Sequence, residues 1–168
     1  MKLDKKEIKS LKNLLSQVEH RADAALERLY TKLSSDSHLE LYVDGAADLH
    51  SKTSGIGGVF YCDGEEVETF AEFLGDATNN EAEYSALIRG LQIALEMNTS
   101  SIKIFADSQL VVRQINGEYK VKHKNMIPLH AKASKLLNEF NSWEMKHIPR
   151  EQNTVADKLS KTGMMEGR

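Results

Sequence analysis

A chain of 168 residues suits one domain with a short appendage. Apolar residues at 40% and charged residues at 28% are ordinary for a globular protein with a packed core, and a formal net charge of −3 excludes a uniformly basic nucleic-acid-binding module. Cys62 is the one cysteine, so no intramolecular disulfide forms, and the charged start MKLDKKEIKSLKNLL lacks the apolar run of a secretory signal. With no stretch approaching the ~20 apolar residues of a membrane helix, these features predict a soluble cytoplasmic protein.

Residues 4–33 read as one helix. Ile8, Leu11, Leu15, Val18, Ala22, Ala25 and Leu29 recur at alternating three- and four-residue steps, a heptad-like stripe with charges between. Ser34-Ser35-Asp36-Ser37 reads as a linker, dividing an appendage, 1–37, from a domain, 38–168. Residues 39–43 alternate as a strand and end at Asp44-Gly45, a turn dipeptide. Residues 56–61 are apolar and β-branched, Asp63-Gly64 signals a hairpin, and 67–73 read as the returning strand. Residues 79–97 form a helix with Ala82, Ala86, Leu87, Leu91, Ala94 and Leu95 on its apolar face. Residues 102–106 are a short buried strand ending at Asp107, and 108–116 a helix stopped by Gly117. Pro128 suits the first turn of a helix running to Phe140. Residues 143–148 read as a strand ended by Pro149, and 153–162 as a last helix. The order βββαβααβα describes an α/β domain with a mixed sheet.

Each notable carboxylate has an ordinary explanation. Asp44 fits a turn, Asp107 a helix cap, Glu81 a capping box with Thr78, and Asp157 a surface charge on a helix that Asn153 caps. Together they admit another reading. Asp44 and Asp107 each follow an apolar strand, and on neighbouring strands they converge. Like charges so placed are costly unless a cation neutralises them. Carboxylate oxygens suit Mg²⁺ or Mn²⁺. Two such ions about 4 Å apart activate water and stabilise a leaving oxygen in phosphodiester cleavage. The chain has no Cys/His cluster for zinc, no Walker-type phosphate loop and no GxSxG elbow.

Six segments carry a family resemblance: LYVDGAA at 41–47, GIGGVF at 55–60, TNNEAEYSALIRGL at 78–91, IFADSQLVVRQING at 104–117, YKVKHKN at 119–125 and HIPREQNTVADKLS at 147–160. In this order and spacing the chain resembles the type 1 ribonuclease H family, in its compact bacterial and archaeal branch without a separate hybrid-binding domain. The resemblance implies a ribonuclease H-like fold with a five-stranded mixed sheet flanked by helices. It implies metal-binding catalytic carboxylates at Asp44, Glu83, Asp107 and Asp157; the pattern TNN, two residues, then Glu selects Glu83 over Glu81. It further implies two Mg²⁺ ions, replaceable by Mn²⁺, and hydrolysis of the RNA strand of an RNA–DNA hybrid to 5′-phosphate and 3′-hydroxyl ends. Gly45, Ala46, Asn79, Asn80, Ser108 and Asn153 fall at substrate-binding positions. Many family members carry a His on the loop before the last helix. Here that loop is Pro149-Arg150-Glu151-Gln152-Asn153, which leaves either Arg150 or Glu151 as a partial substitute or an enzyme that works without this function, and His147 as a structural residue at the strand end. A nuclease acting on double-stranded RNA and a degenerate nucleic-acid-binding member remain the alternatives, because a fold alone does not name a substrate.

Charge is uneven. Residues 60–83 hold eight Asp/Glu and no Lys/Arg, whereas 119–138 hold five lysines and no acid. Lys120, Lys122 and Lys124 alternate beside Tyr119 and His123, so a phosphate-contacting arm is expected there. The N-terminal stripe is left to pack on the domain, bind a partner or self-associate.

Overall fold

The computed structural model describes residues 5–16 and 39–167. The chain divides into two units, Met1–Ser37 and His38–Arg168. In the first, α1 spans Lys5–Ser16. The remainder of the helix expected over 4–33, and the linker after it, lie outside the described residues.

The second unit contains β1 (Leu39–Asp48), β2 (Thr53–Cys62), β3 (Glu65–Gly75), α2 (Asn79–Glu96), β4 (Ser101–Ala106), α3 (Gln109–Ile115), α4 (Met126–Leu137), β5 (Ser142–His147) and α5 (Thr154–Glu166). A short 3-10 turn, Arg150–Gln152, precedes α5. The expected order βββαβααβα is observed. The five strands lie in the order β3-β2-β1-β4-β5. β1 pairs antiparallel with β2 and parallel with β4. β2 and β3 are antiparallel, β4 and β5 parallel.

One expectation fails in a way that matters for the site. Asp44-Gly45 is not a turn: β1 runs on to Asp48, with Asp44 opposite Gly57 and Ala46 opposite Gly55. The reversal comes four residues later. There the Asp48 carboxylate accepts from the His50 N–H at 3.0 Å and the Ser51 hydroxyl at 2.8 Å, and Lys52 takes φ 52°. Gly45, Ala46, Gly55 and Gly57 have weak strand propensity, so the sequence pattern breaks although the ladder does not. The Asp63-Gly64 hairpin is as expected, with both residues at positive φ, 51° and 83°.

Strand alternation sends Leu39, Leu41 and Val43 to one face of the sheet, where they meet Tyr84, Ala86, Leu87, Leu91 and Ala94 of α2 in a continuous core. Burying each large apolar side chain there contributes roughly 1.5–3 kcal/mol. Gly90 brings α2 close, since a Cβ at that position would stand 2.6 Å from Leu41 Cδ2. Buried polar groups tie the helices together: Tyr84 Oη donates to Gln114 Oε1 at 2.7 Å, and a His130 ring nitrogen lies 3.2 Å from the Gln114 carbonyl oxygen. The opposite face receives α5. A Cβ on Gly57 would lie 2.3 Å from Ser160 N, and one on Gly163 2.5 Å from the Glu72 carbonyl oxygen. Among the described residues, no helix is long and apolar enough to cross a membrane.

Candidate active site

The parallel register of β1 and β4 ends at Val43 opposite Ala106. Asp44 and Asp107 are the residues that follow this last pair, so the end of the ladder sets two carboxylates side by side. Glu83 arrives from the first turns of α2. Gly45 admits it: a Cβ there would stand 2.2 Å from Ala82 C and 2.3 Å from Glu83 N. An oxygen from each of Asp44, Glu83 and Asp107 lies within 4.8 Å of the others.

The cluster is largely dry, with Asp44 3% and Glu83 5% exposed. Burial pushes Asp44 up to about 6; the Ser160 hydroxyl opposes this, and the charges of Asp107 and Asp157 add to it. Burial likewise pushes Glu83 up to about 9, helped by Asp44 and Asp107 and opposed by the Gly45 N–H and Arg150. Glu83 Oε2 is buried with no hydrogen-bond partner. Three hard oxygen donors that repel one another, with one acceptor unsatisfied, fit a divalent cation. Such an ion supplies both the missing partner and the opposite charge.

Asp157, expected as the fourth carboxylate, sits in the first turn of α5. It raises Asp44 through its charge but stands outside the three-residue cluster. Its oxygens accept from Arg150 Nη2 and from Lys161 Nζ, each at 2.6 Å. Burial raises its carboxyl, but these two cations outweigh it and hold Asp157 below the usual carboxylate range. Arg150 thus occupies the loop where many family members carry a His. His147 contributes a ring nitrogen 3.1 Å from the Asp107 carbonyl oxygen, a bond that steadies the β4 terminus.

The two acids near the start of α2 have different tasks. Glu81 completes a capping box, its carboxylate accepting from Thr78 N at 2.9 Å while Thr78 Oγ1 accepts from Glu81 N at 3.3 Å. Glu83 alone enters the cluster.

The remaining expected residues fall into three groups. Gly45 and Ala46 lie in β1 beside the carboxylates, and Asn79 and Asn80 are exposed in the first turn of α2. Lys120, Lys122 and Lys124 are exposed on the connection from α3 to α4. Tyr119 anchors the start of that connection, its hydroxyl accepting from Arg113 Nη1 at 2.9 Å. Asn125 at its far end helps hold the Glu81 carboxyl low, behind the larger effect of Thr78, so the arm returns beside Asn79 and Asn80. Ser108 caps α3 through Val111 N at 3.4 Å; the cap expected of Asp107 is therefore made by its neighbour.

Asn153 needs correction. It makes no side-chain cap bond to α5 and is 1% exposed, so it is not on a surface a duplex would meet. Its Nδ2 donates to the Val43 carbonyl oxygen at 2.9 Å and reaches Asp107 Oδ2 more loosely at 3.4 Å. Ser160 was not singled out from sequence. Its hydroxyl donates to Asp44 Oδ2 and is fully buried. The one available signal was its place a single helical turn after Asp157.

The sequence profile of a family described as reverse transcriptase-like matches residues 42–163. The crystal structure of ribonuclease H1 from Halobacterium salinarum superposes with a TM-score of 0.73 at 32% identity, covering 77% of this chain and 98% of that one. The chain belongs to the ribonuclease H family. LC11 ribonuclease H1, crystallised with an RNA/DNA hybrid, gives a TM-score of 0.71 at 33% identity over 77% of this chain and 98% of its own. A bifunctional protein from Mycobacterium tuberculosis is 40% identical over 91 residues, 54% of this chain and 25% of that protein. The chain thus spans a quarter of the mycobacterial protein's length, and 60% of that of the Halobacterium ribonuclease HI sequence. The branch of the family and its fold are those the six motifs implied.

Proposed function

We propose that this protein is an endoribonuclease that hydrolyses the RNA strand of RNA–DNA hybrids without sequence preference, leaving 5′-phosphate and 3′-hydroxyl ends. The observation that carries the proposal is the cluster of buried Asp44 and Glu83 with half-buried Asp107 at the end of the β1–β4 ladder, with a Glu83 oxygen left unpartnered. The family supports the substrate, as does the relative crystallised with an RNA/DNA hybrid.

In this reading Asp44, Glu83, Asp107 and Asp157 would hold two Mg²⁺ ions, with Mn²⁺ able to replace them. Such ions would supply water activation and charge neutralisation for phosphodiester cleavage. At neutral pH Glu83 stays ionised only in the loaded site, because burial and the charges of Asp44 and Asp107 otherwise favour its protonated form. Arg150 and Lys161 hold Asp157 ready as a carboxylate. Gly45, whose missing side chain faces α2, offers the substrate only its backbone, and Ala46 keeps the strand beside the carboxylates free of bulk. Asn79 and Asn80 meet the hybrid near its 2′-hydroxyls, the groups that distinguish RNA from DNA. The cap that Ser108 makes at α3 keeps the backbone after Asp107 in place beside the substrate. Lys120, Lys122 and Lys124 contact phosphates and set the duplex without reading its sequence. A cytoplasmic location belongs to the same proposal and rests on the single cysteine, which suits a reducing compartment. We also assign 1–37 as an appendage with self-association among its uses, and 38–168 as the catalytic domain.

The test offers labelled RNA–DNA hybrid, duplex RNA and duplex DNA to the full chain with Mg²⁺, Mn²⁺ or chelator. Hybrid cleavage that needs a divalent ion and disappears in a folded Asp44→Asn variant is the expected result. Preference for duplex RNA would replace the substrate, and no cleavage of any duplex would remove the enzymatic reading.

A further inference from the structure

We infer that Ser160 is a positioning residue for the metal site, its buried hydroxyl fixing the Asp44 carboxylate in the orientation that receives a cation. This rests on the reading of Asp44 as a metal ligand.

The hydroxyl faces two acceptors, Asp44 Oδ2 and, at 2.8 Å, the carbonyl oxygen of Asp157. It has one proton to give. An ionised carboxylate is the stronger acceptor, so in the loaded site the proton goes to Asp44. That bond crosses from α5 to β1, between residues 116 apart in sequence. It holds one Asp44 oxygen and stops the carboxylate from rotating.

The surroundings are built to bring Ser160 this close. Gly57 is the cross-strand partner of Asp44. A Cβ on it would stand 2.3 Å from Ser160 N and 2.6 Å from Leu159 C, and one on Gly55 2.4 Å from the Ser160 carbonyl oxygen. These contacts are with backbone, which cannot swing aside. Two glycines of β2 thus seat the turn of α5 that carries Ser160. Packing alone does not call for a hydroxyl here: Ser160 is 0% exposed, and alanine would fill nearly the same volume without burying a polar group. Asp157 lies one turn earlier on α5, so a single turn delivers both a carboxylate and the group that aligns a second one.

The experiment titrates the metal-free full chain with Mn²⁺ by calorimetry, with no substrate present. It compares the parent with Ser160→Ala, Asp44→Asn and Thr162→Ala. Thr162 is exposed and spends its hydroxyl on the Lys158 carbonyl oxygen of the same helix, so it controls for loss of a hydroxyl from α5. Groups that orient a metal ligand typically contribute about 10- to 100-fold in affinity. Ser160→Ala is expected to raise the Mn²⁺ dissociation constant by that factor, to melt cooperatively, and to keep the parent's KM for hybrid at saturating metal. Thr162→Ala is expected to match the parent. Parent-like Mn²⁺ affinity in Ser160→Ala, alongside lost binding in Asp44→Asn, overturns the inference and leaves the metal site standing. Parent-like affinity in Asp44→Asn removes the metal reading of Asp44, and the inference with it.

Discussion

Asn153 Nδ2 lies 2.9 Å from the carbonyl oxygen of Val43, a residue 110 positions earlier in the chain. The bond ties the entry to α5 to β1 just before Asp44, where the parallel ladder with β4 ends. The same amide reaches Asp107 Oδ2. One side chain therefore spans the gap that opens between two strands and steadies a carboxylate on each side of it. Removing it leaves a buried carbonyl unsatisfied, at a cost of about 1–3 kcal/mol. Asn153→Ala should lower the urea midpoint accordingly. Its kcat should fall by more than its KM for hybrid rises, because the carboxylates are disturbed and the duplex-binding surface is not. Denaturant melts and steady-state kinetics at saturating metal check both parts. An unchanged kcat would make Asn153 a purely structural residue.

The raised carboxylates give the metal-free chain an unusual pH dependence. Asp44 titrates at about 6 and Glu83 at about 9 in the folded chain. Their unfolded values are about 3.9 and 4.3. Across that interval the native state holds protons that the unfolded state has lost, so stability falls as pH rises. The loss begins near pH 4, proceeds through about 6 for Asp44 and continues to about 9 for Glu83. In chelator, Glu83→Gln should therefore gain in Tm relative to the parent as the pH is raised from about 5 to about 9. Saturating Mg²⁺ should shrink that gap, since a bound cation favours the ionised carboxylates. Parallel melting curves for parent and variant in chelator would show that Glu83 is not held protonated.

The arm carrying Lys120, Lys122 and Lys124 supports a prediction about salt. Tyr119 pins its first residues to Arg113, whose guanidinium carbon lies 5.1 Å from the Tyr119 ring centroid. Lysines so held are presented to solvent without the full cost of ordering a free loop. Each phosphate contact contributes roughly 0.7–0.9 to the slope of log affinity against log salt. The triple alanine variant should show a higher KM for hybrid and a slope reduced by about 2 to 3, with kcat little changed. Titrating hybrid affinity over a range of KCl concentrations measures it. An unreduced slope would take the arm out of the interface.

Periodicity revealed much of the fold and little of the site. The α2 helix was legible because Ala82, Ala86, Leu87 and Leu91 repeat on one face, and the Asp63-Gly64 hairpin because two adjacent residues tolerate positive φ. The continuation of β1 through Asp44 was not legible. Gly45, Ala46 and Ala47 carry no strand signal, and the smallness of Gly45 serves a tertiary contact with α2. The choice of Glu83 over Glu81 came from family spacing, and the capping box explains why Glu81 is occupied elsewhere. Ser160 and the bridging role of Asn153 depend on how closely α5 approaches β1, a distance set by glycines on another strand. No local pattern encodes such a contact.

Those glycines separate steric closeness from backbone conformation. Gly45 sits in an ordinary strand, yet a Cβ there would stand 2.2 Å from Ala82 C and 2.3 Å from Glu83 N. Gly64 has open space around its would-be Cβ but φ +83°. Gly45→Ala must push α2 away from β1, and the displaced segment carries Glu83. Overpacking of this kind typically costs 1–3 kcal/mol, and more where backbone must yield. Gly64→Ala strains only an exposed turn, at about 1 kcal/mol. Both variants should therefore lose stability, but only Gly45→Ala should lose Mn²⁺ affinity and cleavage, by at least tenfold if Glu83 moves out of reach of its partners. Calorimetry and hybrid cleavage on the two variants, compared at matched distance below each one's Tm, measure the difference. Equal losses of metal affinity would mean that the contact between Gly45 and α2 does not place Glu83.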